Sequence, residues 1–263
     1  MDLGIKGRVA LVAAASKGLG KAAAMELARE GARVVIAARG EEELGAAADE
    51  IRAATGAEVL SVPADVTKVT DIEALVGRAQ AEFDDVDILV NNAGGPRPGT
   101  FTDMTDEDWL SAVNLNLMST VRLTRLVLPG MRRKGWGRII NMTSISVKQP
   151  MANIILSNAA RSAVVAMAKT LSQQVAPDGI TVNNVCPGTI LTDRVRSLAA
   201  NTAQTQGISE EEALQGMQAD IPMGRIGRPE ELAALIAFLA SERASYITGA
   251  TIQVDGGVYR GLL

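Results

Sequence analysis

Histidine is absent from the 263 residues, and cysteine occurs once, as Cys186. The first absence excludes Ser-His-Asp and Cys-His triads, histidine-ligated zinc and an imidazole base. The second excludes any intramolecular disulfide. Aromatic residues make up only 3% of the chain, so aliphatic side chains must fill the core. Long hydrophobic runs are missing too. The run Ala233 to Ala240 falls far short of the ~18 residues that a spanning helix needs. Met1 to Gly7 carries Asp2 and Lys6 and lacks the apolar stretch of an export signal. A soluble cytoplasmic protein with no membrane partner is the expectation. An excess of positive charge is lacking as well: 26 basic and 30 acidic residues leave a formal charge of −4. That argues against nucleic acid as a partner.

What is present is a core-forming composition, 47% hydrophobic and 21% charged, in a chain of single-domain length. Short apolar runs alternate with amphipathic stretches. Strands are predicted at Val9 to Ala14, Val34 to Ala38, Val59 to Pro63, Ile88 to Val90, Arg138 to Met142, Thr181 to Val185 and Ala250 to Val254. Helices are predicted at Lys21 to Glu30, Glu41 to Ala54, Asp71 to Phe83, Trp109 to Leu128, Ala159 to Val175 and Glu230 to Ala240. Apolar strands between helices imply an α/β fold of the Rossmann type, a doubly wound parallel sheet with helices on both faces. Ligands of such sheets bind at the carboxyl ends of the strands. One domain, 1–263, is expected. Arg194 to Asp220 reads as a pair of short helices over the site mouth, a candidate substrate lid at about 194–228.

Between the first strand and helix lies Ala13-Ala14-Ala15-Ser16-Lys17-Gly18-Leu19-Gly20. Glycines there permit a tight turn and close approach of a pyrophosphate to the helix N-terminus. Further on come Asp65-Val66, Asn91-Asn92-Ala93-Gly94, Asn116, Ser144, Pro187-Gly188, Tyr246-Ile247-Thr248-Gly249 and Val254-Asp255-Gly256-Gly257. In this order and spacing, they make the chain resemble the short-chain dehydrogenase/reductase family, in its β-ketoacyl-carrier-protein-reductase-like branch, over essentially the full length. The resemblance implies hydride transfer between a nicotinamide cofactor and a carbonyl or alcohol of a small-molecule substrate, in a homotetramer. The family usually has Thr-Gly where this chain has Ala13-Ala14, and alanine does not adopt positive φ easily.

An acidic residue at the end of the second strand would favour NAD. Here Ala38 stands at that place, with Arg39 next to it and Lys17 in the glycine turn. Two cations and no carboxylate there favour NADP over NAD. By resemblance, Asp65 and Val66 contact the adenine, and Asn92, Ala93 and Gly94 line the adenosine ribose. Ser16, Lys17, Gly18, Leu19 and Gly20 would form the phosphate turn. Pro187, Gly188, Ile190 and Thr192 would close over the nicotinamide.

The resemblance also implies a tyrosine acid, a lysine four residues later, a serine and an asparagine. Asn116 and Ser144 match. The tyrosine position falls on Ser157 and the lysine position on Arg161, and the two tyrosines of the chain, Tyr246 and Tyr259, lie near its end. Arg161 would keep a positive charge and donors for the nicotinamide ribose, but its guanidinium cannot relay a proton. Ser157 is short and a weak acid, so a water held by Ser157, Ser144 and Arg161 is the expected proton carrier. Lys148, with Ser146 and Asn158 nearby, is the alternative titratable candidate. The expected activity is an NADP-dependent oxidoreductase with a variant site. A nucleotide-binding protein without catalysis, or a lyase or isomerase, are the alternatives. No metal is expected. Arg97, Arg194 and Arg196 near the mouth would suit an acidic or phosphopantetheine-linked substrate, or else be solvated surface charge.

Overall fold

The structure is a computed structural model that describes residues 2–262. Seven parallel strands form one sheet in the order β3-β2-β1-β4-β5-β6-β7. They are β1 Val9–Ala13, β2 Arg33–Ala38, β3 Val59–Pro63, β4 Ile88–Asn91, β5 Gly137–Met142, β6 Ile180–Pro187 and β7 Thr251–Val254. Helices α1 Gly18–Arg29, α2 Glu41–Thr55 and α3 Val69–Phe83 connect the first four strands. Then come α4 Asp106–Ala112, α5 Ser119–Lys134, α6 Ile155–Val175, α7 Asp193–Gln206, α8 Glu210–Gln218 and α9 Pro229–Leu239.

The side chains of β1 show why both faces must be covered. All five are buried, and they alternate: Val9, Leu11 and Ala13 join one core, Ala10 and Val12 the other. The first core is closed by Ile72 and Leu75 of α3 and Leu123 and Val127 of α5. The second is closed by Ala24 and Leu27 of α1, Leu44 and Ile51 of α2, and Leu232 and Ile236 of α9. Because β1 is followed outward by β2 and β3, the chain must cross back to β4 on the other side of β1. The loops after β1 and β4 therefore diverge and open a crevice at the carboxyl ends of the strands.

The long helix predicted over Trp109 to Leu128 is divided. Between α4 and α5 the backbone widens into a π-helical turn, Val113–Met118. There the carbonyls of Leu115 and Asn116 accept from the hydroxyls of Ser119 and Thr120, at 2.5 and 2.9 Å. The helix runs on past the predicted end at Leu128 to Lys134, with Pro129 inside α5. Helix α6 begins at Ile155, four residues before the predicted start, so Ser157 stands in its first turn and Arg161 one turn later on the same face. The segment after Thr192 forms two helices, α7 and α8, which meet through Ala199, Ala203 and Ala213.

A row of side-chain amides crosses the sheet just below the crevice. Asn91, Asn141, Asn184 and Thr251 are register partners on four adjacent strands. The Asn91 amide donates to Asn141 at 2.9 Å, Asn141 to Asn184 at 3.0 Å, and Asn184 to the Thr251 hydroxyl at 3.1 Å. Each asparagine is at least 98% buried, and a one-residue slip of any strand would leave these groups unpaired.

Candidate active site

The crevice is a cleft of about 820 Å³. That is ample for an extended dinucleotide, since small-molecule and cofactor pockets run to roughly 300–1,000 Å³. Of the residues assigned by resemblance to the cofactor and the catalytic centre, all but Gly20 and Asn116 line it: Ser16 to Leu19, Arg39, Asp65, Val66, Asn92 to Gly94, Ser144, Ser157, Arg161, Pro187, Gly188, Ile190 and Thr192.

Gly18 and Gly20 shape the floor of the cleft at the end of β1. Gly18 has φ +58°, and its open side faces the Thr192 methyl. A Cβ on Gly20 would collide with the Ala14 carbonyl oxygen and lie 2.9 Å from the Asn92 amide nitrogen. That glycine lets α1 start against the end of β1, so the first-turn N–H groups of α1, which have no partner within the helix, are presented to the cleft. The Asn92 amide donates to the Ala14 carbonyl at 3.2 Å and ties the two diverging loops together. Ala14 itself has φ 48°, in the left-handed region. The family glycine is thus replaced at a position where its conformational freedom is used.

At the second strand end, Arg39 and Lys17 face the cleft as expected. A carboxylate, however, stands beside them, against the sequence reading. Glu43, in the first turn of α2, lines the same wall, with its Oε2 3.4 Å from the Lys17 Nζ. Its place four residues after Arg39, at a helix start, was the readable signal. Asp65 does not cap α3, whose N-cap is Lys68. Its Oδ1 accepts from the Thr67 N–H at 2.9 Å and the Thr67 hydroxyl at 2.7 Å. These bonds, the backbone one foremost, hold its carboxyl below the usual carboxylate range.

The inner end is organised by Arg161. Nη1 donates to the carbonyls of Met142 (3.0 Å) and Thr143 (3.1 Å). Nη2 donates to those of Ala93 (3.2 Å) and Gly94 (3.4 Å). Four of the five guanidinium N–H donors are therefore engaged, and only the Nε–H remains for any other partner. This side chain clamps the ends of β4 and β5, which leaves its Nε–H as the donor for the ribose or water expected from the sequence. Burial first, and then the nearby Arg194 charge, push its pKa down to about 10.

Asn116 projects from the π-helical turn, and its amide donates to the Gly94 carbonyl at 3.1 Å. Its Oδ1 is buried without a partner, beside a water-sized cavity that Arg161 and Thr120 also line. The Ser144 oxygen accepts from the Ser146 N–H at 3.1 Å, which leaves its own hydrogen free to donate into the cleft. Ser157 is half-buried at the same wall. Neither tyrosine lines the cleft, and the single lysine there is Lys17. Tyr246 is fully exposed. Lys148 lies outside the cleft, with its Nζ 5.3 Å from the centre of the Tyr259 ring. Cys186 is buried against the Thr143 hydroxyl at 3.1 Å, and burial pushes its thiol pKa up. Of the three mouth arginines, Arg97 is bound to Asp108 at 2.8 Å, whereas Arg194 lines the cleft.

A family profile described as enoyl-(acyl carrier protein) reductase matches residues 13–259. A putative ketoacyl reductase of Streptomyces coelicolor is 39% identical over 252 residues, covering 95% of this chain and 96% of that protein. The 3-oxoacyl-(acyl-carrier-protein) reductase FabG of Escherichia coli is 38% identical over 257 residues, covering 98% and 99%. Among solved structures, L-sorbose reductase from Gluconobacter frateurii, complexed with NADPH and L-sorbose, superposes with a TM-score of 0.97 at 38% identity over the whole of both chains. The chain belongs to the short-chain dehydrogenase/reductase family.

Proposed function

We propose that this chain is an NADPH-dependent reductase of a carbonyl compound that works without a tyrosine acid. The observation that carries the reading is the continuous cleft, from Arg39 past the glycine turn to Ser144 and Ser157. NADPH, when bound, supplies the hydride. Gly18, Gly20 and the α1 N-terminus fit its diphosphate, because a Cβ would fill the cradle at Gly20. Arg39 and Lys17 fit a 2′-phosphate. The pinned Arg161 keeps a positive charge under the inner end of the cleft, where it favours the developing negative charge on a carbonyl oxygen. The Ser144 hydroxyl donates to that oxygen and Ser157 holds the water that protonates it. General acid catalysis by a well-matched group contributes roughly 10²–10⁴-fold, so turnover is slow compared with a phenol-bearing site. The relatives named as reductases support the reductive direction.

Fluorescence titration of the purified chain with NADPH and NADH tests the cofactor assignment. NADPH is expected to bind at least tenfold tighter, and Arg39→Ala to remove the difference. NADPH oxidation over a carbonyl panel then tests catalysis, and Ser144→Ala is expected to abolish it without loss of cofactor binding. Absence of binding by either nucleotide refutes the assignment. Binding without turnover of any carbonyl leaves a nucleotide-binding protein.

A further inference from the structure

Arg194 begins the helical segment after β6, in the first turn of α7, and reaches across the cleft to the loop after β4. A Cβ on Gly95 would meet its Nη1 at 2.9 Å and its Nη2 at 3.1 Å. The absence of a side chain at residue 95 therefore makes the seat for this guanidinium. Among the described residues, Arg194 has no hydrogen bond and no ion pair. Three carboxylates line the cleft, and none pairs with it. Glu43 faces Lys17, Asp65 is held by Thr67, and Asp193 makes no ion pair with any cation.

A second guanidinium is close by. Arg161 is pinned to the Gly94 carbonyl, and Arg194 rests on the next residue. Adjacent α-carbons are about 3.8 Å apart, so the buried Arg161 and the exposed Arg194 put two like charges at one end of the cleft. Their repulsion contributes to the lowered pKa of Arg161. The first turn of a helix is also the wrong end for a cation, because the helix dipole is positive there. The fold thus holds an unpaired cation against a second cation, at an unfavourable helix position and over a cleft. An anion placed between the two relieves all of these terms.

We propose that Arg194 is a specificity-determining residue that binds the carboxylate of an oxo-acid substrate and so orients its carbonyl toward Ser144 and Ser157. Ser157 is one helical turn, about 5.4 Å, from Arg161 along α6. The span from the carboxylate seat to the reacting oxygen is therefore on the order of 10 Å or less, which fits a short oxo acid rather than the remote phosphate of a carrier arm. The inference rests on the reductase reading above.

The test uses the full chain and a panel of 2-, 3- and 4-oxo acids, each paired with its methyl ester. The parent is expected to favour at least one acid over its ester in kcat/KM by about 10- to 100-fold, as one charge-assisted contact confers. Arg194→Gln should remove that preference by raising KM for the acid, with the ester rate and the NADPH Kd unchanged. Arg194→Lys should restore part of it. An equal loss for acid and ester, or an unchanged acid preference, overturns the proposal. A weaker NADPH Kd in Arg194→Gln overturns it as well, since Arg194 would then serve the cofactor. If no carbonyl is reduced, the reductase reading fails, and the carboxylate seat is read separately from quenching of bound NADPH fluorescence by the same acids. Quenching by acids but not esters, lost in Arg194→Gln, sustains the seat. No binding of any acid to the NADPH complex overturns it.

Discussion

Replacing Ala14 by glycine should stabilise this protein, against the usual direction for glycine substitutions. Ala14 has φ 48°, and an L-residue in the left-handed region carries a penalty of roughly 1–2 kcal/mol. Glycine removes that penalty, while its greater freedom in the unfolded chain costs about 0.5–1 kcal/mol. The net expectation is a gain of about 0.5–1 kcal/mol. The surroundings keep the conformation in place: the Ala14 carbonyl accepts from Asn92, and the next N–H, of Ala15, bonds the Ala37 carbonyl at 3.0 Å. The methyl group lines the phosphate end of the cleft, so its loss should leave NADPH binding equal or tighter. Urea unfolding gives the stability change and fluorescence titration the Kd. Ala13→Gly is the control. Ala13 is a fully buried residue of β1 and is not among the residues of positive φ, so glycine there should destabilise by about 1 kcal/mol or more. If Ala14→Gly destabilises as Ala13→Gly does, the left-handed turn is refuted, and with it the strain argument.

Glu43→Gln should tighten NADPH binding by about 1.4- to 5-fold at low salt, because an exposed ion pair with Lys17 worth ~0.2–1 kcal/mol no longer competes with the phosphate. The effect should fade in titrations at 1 M salt, and an equal gain for NADH would show that it does not act on the phosphate. The double variant Ser157→Tyr with Arg161→Lys should raise kcat by about 10²-fold or more on any carbonyl that the parent reduces, read by NADPH oxidation. No gain despite intact NADPH binding would mean that proton delivery does not limit turnover. Glu231 is held at about 2 by the Arg225 guanidinium and then the Arg228 N–H, below its ordinary value of 4.5. Its contribution is therefore complete above pH 4.5 and lost as pH falls through 2. Urea midpoints of Glu231→Gln should lie below the parent at pH 6 and converge with it near pH 2.

The architecture was legible because its causes are local. Val9 to Ala13 is a continuous apolar run, and a strand buried on both faces reads that way. The glycine turn was legible for the same reason: Gly18, Gly20 and Asn92 sit within one strand-to-helix turn and its neighbour. The inner end was not, because its decisive contacts join residues far apart in sequence. Ser157 and Arg161 share one face of α6, as their spacing implies, but that Arg161 gives its donors to the carbonyls of residues 93, 94, 142 and 143 depends on how β4 and β5 end beside α6. The asparagine row was equally hidden. Asn91, Asn141 and Asn184 look like ordinary polar breaks at strand ends until register sets them opposite one another. Arg194 shows the limit most clearly. From sequence it is one of three surface-like arginines, and only the seat left by Gly95 separates it from Arg97, which already has Asp108. The chain names the chemistry at each position. Which charges remain unpaired, and are therefore available to a ligand, is decided by the tertiary contacts alone.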